Sequence, residues 1–175
     1  MSENQVSDIL AKAFAAEGVD TLFTLMGDAN MYLSASMADN EKVRLIHARH
    51  EHCCVAMADA YARATGKVGV ASVTGGPGYT QIMTALVMAA RGNSPVVVFA
   101  GDAPINASWY IQSIDQAPLA LGCGASSAAV APASGGAPGA AGGAAGASGT
   151  PAAGAGGAPS RDPSPLRRAP AGASN

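Results

Sequence analysis

Glu51 is the side chain best suited to chemistry in this sequence. It stands in the run Arg49-His50-Glu51-His52-Cys53-Cys54, where an apolar stretch hands over to a helical pattern. A carboxylate in the first turn of a helix is stabilised by the dipole and the free N–H groups there. The same carboxylate can share a proton with a bound ligand. Spacing alone leaves both roles open. The second feature is Thr74-Gly75-Gly76-Pro77-Gly78. Glycines between a strand and a helix let the backbone approach a ligand, and N–H groups at the helix start hold anions. A plain tight turn has the same signature. As a dinucleotide fingerprint the run is poor, because Gln81 stands where the third glycine belongs.

His47, His50, His52, Cys53 and Cys54 are a dense set of potential metal ligands. They lack a Cys-x-x-Cys pair, and no further cysteine occurs until Cys123. Adjacent cysteines cannot easily face one ion, so no metal site is expected, and the set reads as buried thiols and solvent-facing imidazoles. Trp109 and Tyr110 suit a pocket wall, an interface or the cover of a sheet edge. The methionines Met26, Met31, Met37, Met57, Met83 and Met88 read as packing.

These residues need a scaffold, and the hydropathy pattern supplies one. Val6, Ile9, Leu10, Ala13 and Phe14 recur at helical spacing from a start at Asn4 or Ser7, with Gly18 as the stop. Further helices are predicted over Ala29–Met37, Glu51–Ala64 and Tyr79–Ala90, with Val55, Ala58 and Ala62 on one inward face and Ile82, Leu86 and Ala89 or Ala90 on another. Strands are predicted over Thr21–Leu25, Val43–His47, Val68–Val73 and Pro95–Ala100. The strands are continuous apolar runs alternating with helices. That pattern implies an α/β fold, a parallel sheet with helices on both faces. Ligands bind beyond the carboxyl ends of such strands. Those ends are Met26–Asn30, Ala48–Glu51, Thr74–Gly78 and Gly101–Pro104, which hold the candidate chemistry.

Composition divides the 175-residue chain in two. Residues 1–115 carry 7 Lys or Arg and 11 Asp or Glu, whereas residues 116–160 carry no charge at all. The second stretch is mostly Ala and Gly with Pro and Ser, a composition that cannot offset the cost of ordering a backbone. Residues 1–121 are therefore read as the domain, and 122–175 as a low-complexity, disordered tail. One or two short helical turns are expected after Pro104. Lysine is absent beyond residue 115, and the codons of the tail's residues are rich in G and C. A frame-shifted read-through from about Gly124 is expected on that ground, and trimming after Leu121 should leave the thermal midpoint unchanged. The net charge of −2 gives no argument for nucleic acid or an anionic membrane. No apolar run approaches the roughly 20 residues of a transmembrane helix. The polar, acidic start and the sparse cysteines lead us to expect a cytoplasmic protein with reduced thiols.

The run RHEHCCVAMADAYARATGKVGVASVTGGPGYTQIMTALVMAARGNSPVVVFAGDAP resembles the N-terminal domain of thiamine-diphosphate enzymes of the acetolactate synthase, benzoylformate decarboxylase and oxalyl-CoA decarboxylase group. The matching features are the His50-Glu51 pair, Ala58-Asp59-x-Tyr61-Ala62-Arg63-x-Thr65-Gly66-Lys67, Gly76-Pro77-Gly78, and Ser94-Pro95-Val96-Val97-Val98 with Gly101 behind. The resemblance covers about Val6 to Leu121.

The resemblance implies the thiamine-diphosphate-binding fold and a role for each loop. Glu51 matches the catalytic glutamate that hydrogen-bonds the aminopyrimidine of thiamine diphosphate and promotes the tautomer that takes a proton from the thiazolium carbon. Thr74, Gly75, Gly76, Pro77 and Gly78 match the turn beside the pyrimidine. Met26, Gly27, Asp28, Ala29 and Asn30 would face the substrate. The implied reaction makes or breaks a carbon–carbon bond next to the carbonyl of a 2-oxo acid. The implied partner is a second copy, or a separate chain carrying the diphosphate-binding domain.

Two features depart from the family pattern. Leu25-Met26-Gly27-Asp28-Ala29-Asn30 stands where Phe-Gly-x-Pro-Gly is usual, which argues against acetolactate synthase proper. Neither Gly27-Asp28-Ala29 nor Gly101-Asp102-Ala103 is the Gly-Asp-Gly of the magnesium–diphosphate motif, and neither has an Asn pair downstream. Only the pyrimidine half of the cofactor is therefore expected to bind here, with magnesium in a missing domain, and the chain is expected to be inactive alone. Alternatives are a split two-chain enzyme or a non-catalytic binding domain.

Overall fold

Four of the apolar runs form parallel strands: β1 (Thr21–Thr24), β2 (Arg44–His47), β3 (Gly69–Val73) and β4 (Val96–Gly101). The computed structural model describes residues 5–40, 42–104, 109–130 and, as backbone, 142–147. Helices α1 (Val6–Ala16), α2 (Met31–Ala38), α3 (Glu51–Thr65), α4 (Pro77–Thr80), α5 (Met83–Arg91) and α6 (Ala117–Gly122) complete the order.

Side chains leave the strands alternately to opposite faces, and both faces are covered. Leu22, Val70 and Phe99 pack with Ala11, Leu33 and Met37 of α1 and α2. Phe23, Ala71, Val73 and Val98 pack with Val55, Ala58, Ala62, Ile82, Leu86 and Ala89 beneath α3 and α5. The inward faces predicted for the third helix and for the helix after the glycine turn are therefore correct, with Ala89 rather than Ala90 fully buried. The first helix is rotated from its predicted face. Ile9 is 56% exposed, while Leu10, Ala11, Phe14 and Ala15 meet the core. Its start is Gln5, without a side-chain cap.

The predicted helix over Tyr79–Ala90 is two helices. Between α4 and α5 the chain tightens to i→i+3 bonds, Gln81 N to Gly78 O and Ile82 N to Tyr79 O, before Leu86 N to Ile82 O resumes the α pattern. The break turns Tyr79 and Ile82 both into the core.

A clasp closes the amino ends of the strands. Asp20, just before β1, accepts a hydrogen bond from Tyr61 of α3 (2.5 Å) and pairs with Lys67 (2.6 Å), just before β3. Lys67 first, then Tyr61 and Thr21, hold the Asp20 carboxyl well below the usual carboxylate range. Tyr61 and Lys67, part of the run that carries the family resemblance, thus lie at the opposite end of the sheet from the candidate loops.

The described structure continues past Leu121. Helix α6 runs to Gly122, and Cys123 and Ala125 are buried in the core. Two further strands follow, β5 (Ser126–Val130) and β6 (Gly142–Ala147). Strand β6 pairs antiparallel with both β4 and β5, so the sheet order is β2-β1-β3-β4-β6-β5. Low apolar content limits side-chain burial, but the unpaired N–H and C=O groups along the outer side of β4 can be satisfied even by a Gly/Ala strand. The remaining tail residues, 131–141 and 148–175, lie outside the described residues. Removing everything after Leu121 is now expected to lower the thermal midpoint by roughly 5 °C or more. A melting curve of the trimmed chain that overlays the full-length curve would return the boundary to Leu121.

Candidate functional site

The strand order places the site. From β1 the chain moves outward to β2, then returns to the other side of β1 to lay down β3 and β4. The direction reverses between β1 and β3, and in such sheets the carboxyl ends of the strands at the reversal are where ligands bind. The loop 25–30 leaves β1, the turn Thr74–Gly78 leaves β3, and Glu51 opens α3 four residues after β2 ends.

Helix α3 begins sharply. His50 is extended (φ −154°, ψ 138°), and its Nδ1 accepts the N–H of His52 at 3.2 Å. That cap fixes the direction in which Glu51 leaves the first turn. Glu51 is half-buried, and among the described residues no hydrogen bond or ion pair engages its carboxylate. It faces Gly78: a β-carbon there would stand 3.1 Å from Glu51 Oε1 and 2.5 Å from Thr74 Cγ2. Gly78 thus keeps open the space beside the carboxylate. Behind it, burial pushes the Cys54 thiol up to about 12, with the Glu51 and Cys53 charges adding to the effect. Cys54 is an inert core thiol, whereas Cys53 is exposed, so the adjacent cysteines diverge. Among the described residues no three His, Cys, Asp or Glu side chains group around a metal-sized point.

The glycine turn serves the fold as much as a ligand. Gly75 lies against the carbonyl of Gly101, and Gly76, with φ +59°, lies against the carbonyl of Gln112. Those two glycines admit other parts of this chain. Of the five turn residues assigned to the cofactor, Gly75, Gly76 and Gly78 are buried and Pro77 is exposed. Gly78 faces the Glu51 carboxylate, and the Thr74 methyl also lies within reach of a β-carbon placed there.

The first loop divides similarly. Met26 and Asp28 are exposed. Ala29 is buried against Gly101, and Asn30 is only 1% exposed. The Asn30 amide is fully committed: Oδ1 accepts from Gly27 N (2.7 Å), and Nδ2 donates to Leu25 O (3.2 Å) and Ser72 Oγ (2.9 Å). Ala29 and Asn30 therefore hold the loop from within, because a loop leaving a buried strand has polar groups to satisfy and a short amide does so locally.

Sequence reasoning offered Tyr110 as a pocket wall, an interface or a sheet-edge cover without its partner, and it missed Gln112. Tyr110 donates to Asp28 Oδ2 at 2.5 Å, across 82 positions of sequence. No local pattern announces such a bond.

A half-buried, unpartnered carboxylate beside a space kept open by glycine can accept a hydrogen bond from a ligand N–H and exchange its proton. The residues present thus fit an aminopyrimidine. Residues 4–119 match the family described as "Thiamine pyrophosphate enzyme, N-terminal TPP binding domain". The chain is 36% identical over 114 residues to a probable acetolactate synthase of Mycobacterium bovis, covering 63% of this chain and 20% of that protein. It is 41% identical over 114 residues to 2-hydroxyacyl-CoA lyase 2 of Bos taurus, covering 63% and 18%. It is 43% identical over 98 residues to the acetolactate synthase large subunit of Parasynechococcus marenigrum, covering 54% and 16%. In each case the match spans a fifth or less of the relative's length. With the family matched across most of the chain, and with a parallel sheet that presents Glu51 beside the Gly76-Pro77-Gly78 turn, this protein belongs to the N-terminal, thiamine-pyrophosphate-binding domains of thiamine pyrophosphate enzymes.

Proposed function

We propose that the chain binds the pyrimidine half of thiamine diphosphate through Glu51 and is the N-terminal part of a 2-oxo-acid carboligase or decarboxylase. The observation that carries this reading is the Glu51 carboxylate, unpartnered among the described residues and facing the space above Gly78. When bound, the cofactor supplies a stabilised carbanion equivalent for carbon–carbon chemistry. Glu51 accepts a hydrogen bond from the pyrimidine ring edge and moves a proton at its carboxyl oxygen. His50 caps α3 and so orients Glu51, and the Thr74 methyl with Gly78 forms the floor. Met26 and Asp28, the exposed residues of the first loop, border the substrate side. The names of the relatives, acetolactate synthase and 2-hydroxyacyl-CoA lyase, support chemistry at a carbon next to a carbonyl. The reading includes a cytoplasmic setting. It also includes a partner, either a second copy or a chain bearing the magnesium–diphosphate half.

Two measurements test it. Calorimetric titration of the full chain with thiamine diphosphate is expected to show weak saturable binding that Glu51→Gln weakens about tenfold or more, as for a hydrogen bond to a charged group. Binding indifferent to Glu51 would leave the carboxylate as a helix-start residue. With cofactor, magnesium and pyruvate, the chain alone should release no carbon dioxide above a protein-free blank. Turnover by the chain alone would overturn its dependence on a partner.

A further inference from the structure

We propose that Tyr110 and Asp28 form a latch that holds residues 109–113 as a strap across the Gly75–Gly78 turn, making Tyr110 a positioning residue for that turn. The value of the turn as a cofactor floor rests on the pyrimidine-binding reading; the latch itself does not.

The strap has little else to hold it. Trp109 is 76% and Ile111 96% exposed, while Tyr110 and Gln112 alternate with them and turn inward. A segment with so little apolar burial opens easily unless polar contacts hold it. Two such contacts and one close packing contact are present. The Tyr110 hydroxyl donates to Asp28 Oδ2. The Gln112 carbonyl lies on Gly76, so close that a β-carbon there would come within 2.0 Å of it. Downstream, Gln116 Nε2 donates to the Gly101 carbonyl at 2.9 Å, tying the far end to β4. Ser113 N to Tyr110 O, at 3.0 Å, bends the strap between them.

Proton accounting fixes the direction of the latch. The Tyr110 hydroxyl also lies 3.2 Å from Gln112 Oε1. A phenol has one proton and an ionised carboxylate has none to give, so the proton goes to Asp28. Rotating the Gln112 amide by a half turn presents its NH2 to the phenol oxygen, an orientation that must be assigned from the hydrogen bonds. The same bond holds the Asp28 carboxyl below its ordinary range and pushes the Tyr110 phenol up to about 12. The other Asp28 oxygen accepts from Thr74 Oγ1 at 3.3 Å. Asp28 therefore joins three segments: its own loop, the residue that opens the glycine turn, and the strap above it. This gives a physical role to Asp28 in the loop that departs from the family's usual Phe-Gly-x-Pro-Gly.

Hydrogen exchange of the full chain tests the latch without any ligand. Gly78 N to Gly75 O and Thr80 N to Gly76 O close the turn. In Tyr110→Phe, and separately in Asp28→Asn, exchange at the Gly78 and Thr80 amides should rise about tenfold, the loss of one charge-assisted bond. The double variant should rise no further, because both changes break one bond. Amides of β3 should be unaffected. Unchanged exchange at Gly78 and Thr80 in both single variants would overturn the latch, and so would full additivity in the double variant. A titration with thiamine diphosphate then separates the two readings. Weaker binding by Tyr110→Phe is expected, and equal binding despite faster exchange would overturn the positioning role. A wild-type chain that bound no cofactor would overturn the pyrimidine-binding reading, with the exchange result still deciding the latch.

Discussion

Gly76→Ala is expected to destabilise the domain by about 3 kcal/mol or more, whereas Gly66→Ala should cost only about 1 kcal/mol. Both glycines have positive φ, +59° at Gly76 and +71° at Gly66. They differ in what surrounds them. A β-carbon at Gly66, the C-cap of α3, would meet nothing within 4 Å. At Gly76 it would stand 2.0 Å from the Gln112 carbonyl oxygen and 3.1 Å from the Gln112 Cα. Backbone atoms cannot swing aside as a flexible side chain does, so the strap or the turn must move. The backbone at Gly76, with ψ −118°, is also a conformation that side chains rarely adopt. Urea unfolding of the two variants beside wild type measures the difference. Equal losses would mean that the strap does not press on the turn.

Glu51→Gln should leave the fold intact and remove the chemistry. The informative setting is this domain grafted onto the diphosphate-binding part of a relative, where turnover can be read. An amide at the first position of α3 loses part of a favourable helix-dipole interaction, about 0.3–1 kcal/mol, so the unfolding midpoint should hardly move. The amide cannot exchange a proton as a carboxyl does, and turnover should fall by about 10²- to 10⁴-fold, the usual share of acid–base catalysis. Near-normal turnover in the variant would assign Glu51 to the helix start alone. A collapse of the midpoint would instead place the carboxylate among the structural residues of the loop, a role its lack of partners among the described residues argues against.

The layered α/β architecture was legible because burial on both faces leaves a plain trace. Thr21–Thr24 and Gly69–Val73 are buried at every position, as continuous apolar runs require. Val55, Ala58 and Ala62 repeat at helical spacing because only one side of α3 meets the sheet. Glu51 was legible because its place follows from a local event, the handover from strand to helix. Gly66 was equally local, since a left-handed C-cap favours glycine on any helix.

What the residues alone could not show lies in contacts made across the chain. The glycine turn reads the same whether ligand or backbone fills the space beside it. Only the fold reveals that Gly75 receives Gly101 and Gly76 receives Gln112, leaving Gly78 for the site. Asn30 and Asp28 stand two residues apart in one loop, yet one is locked inside by Ser72 and the other reaches out to Tyr110. The strands after Leu121 escaped notice for a related reason. Side-chain composition carries their low apolar content but says nothing of the open edge of β4 that their backbone pairs with. Local sequence determined the elements and the carboxylate at the start of α3, because periodicity and capping act within a few residues. Tertiary structure decided which loop residues face outward, because that depends on partners tens of residues away and on hydrogen bonds that any polar side chain of suitable length can make.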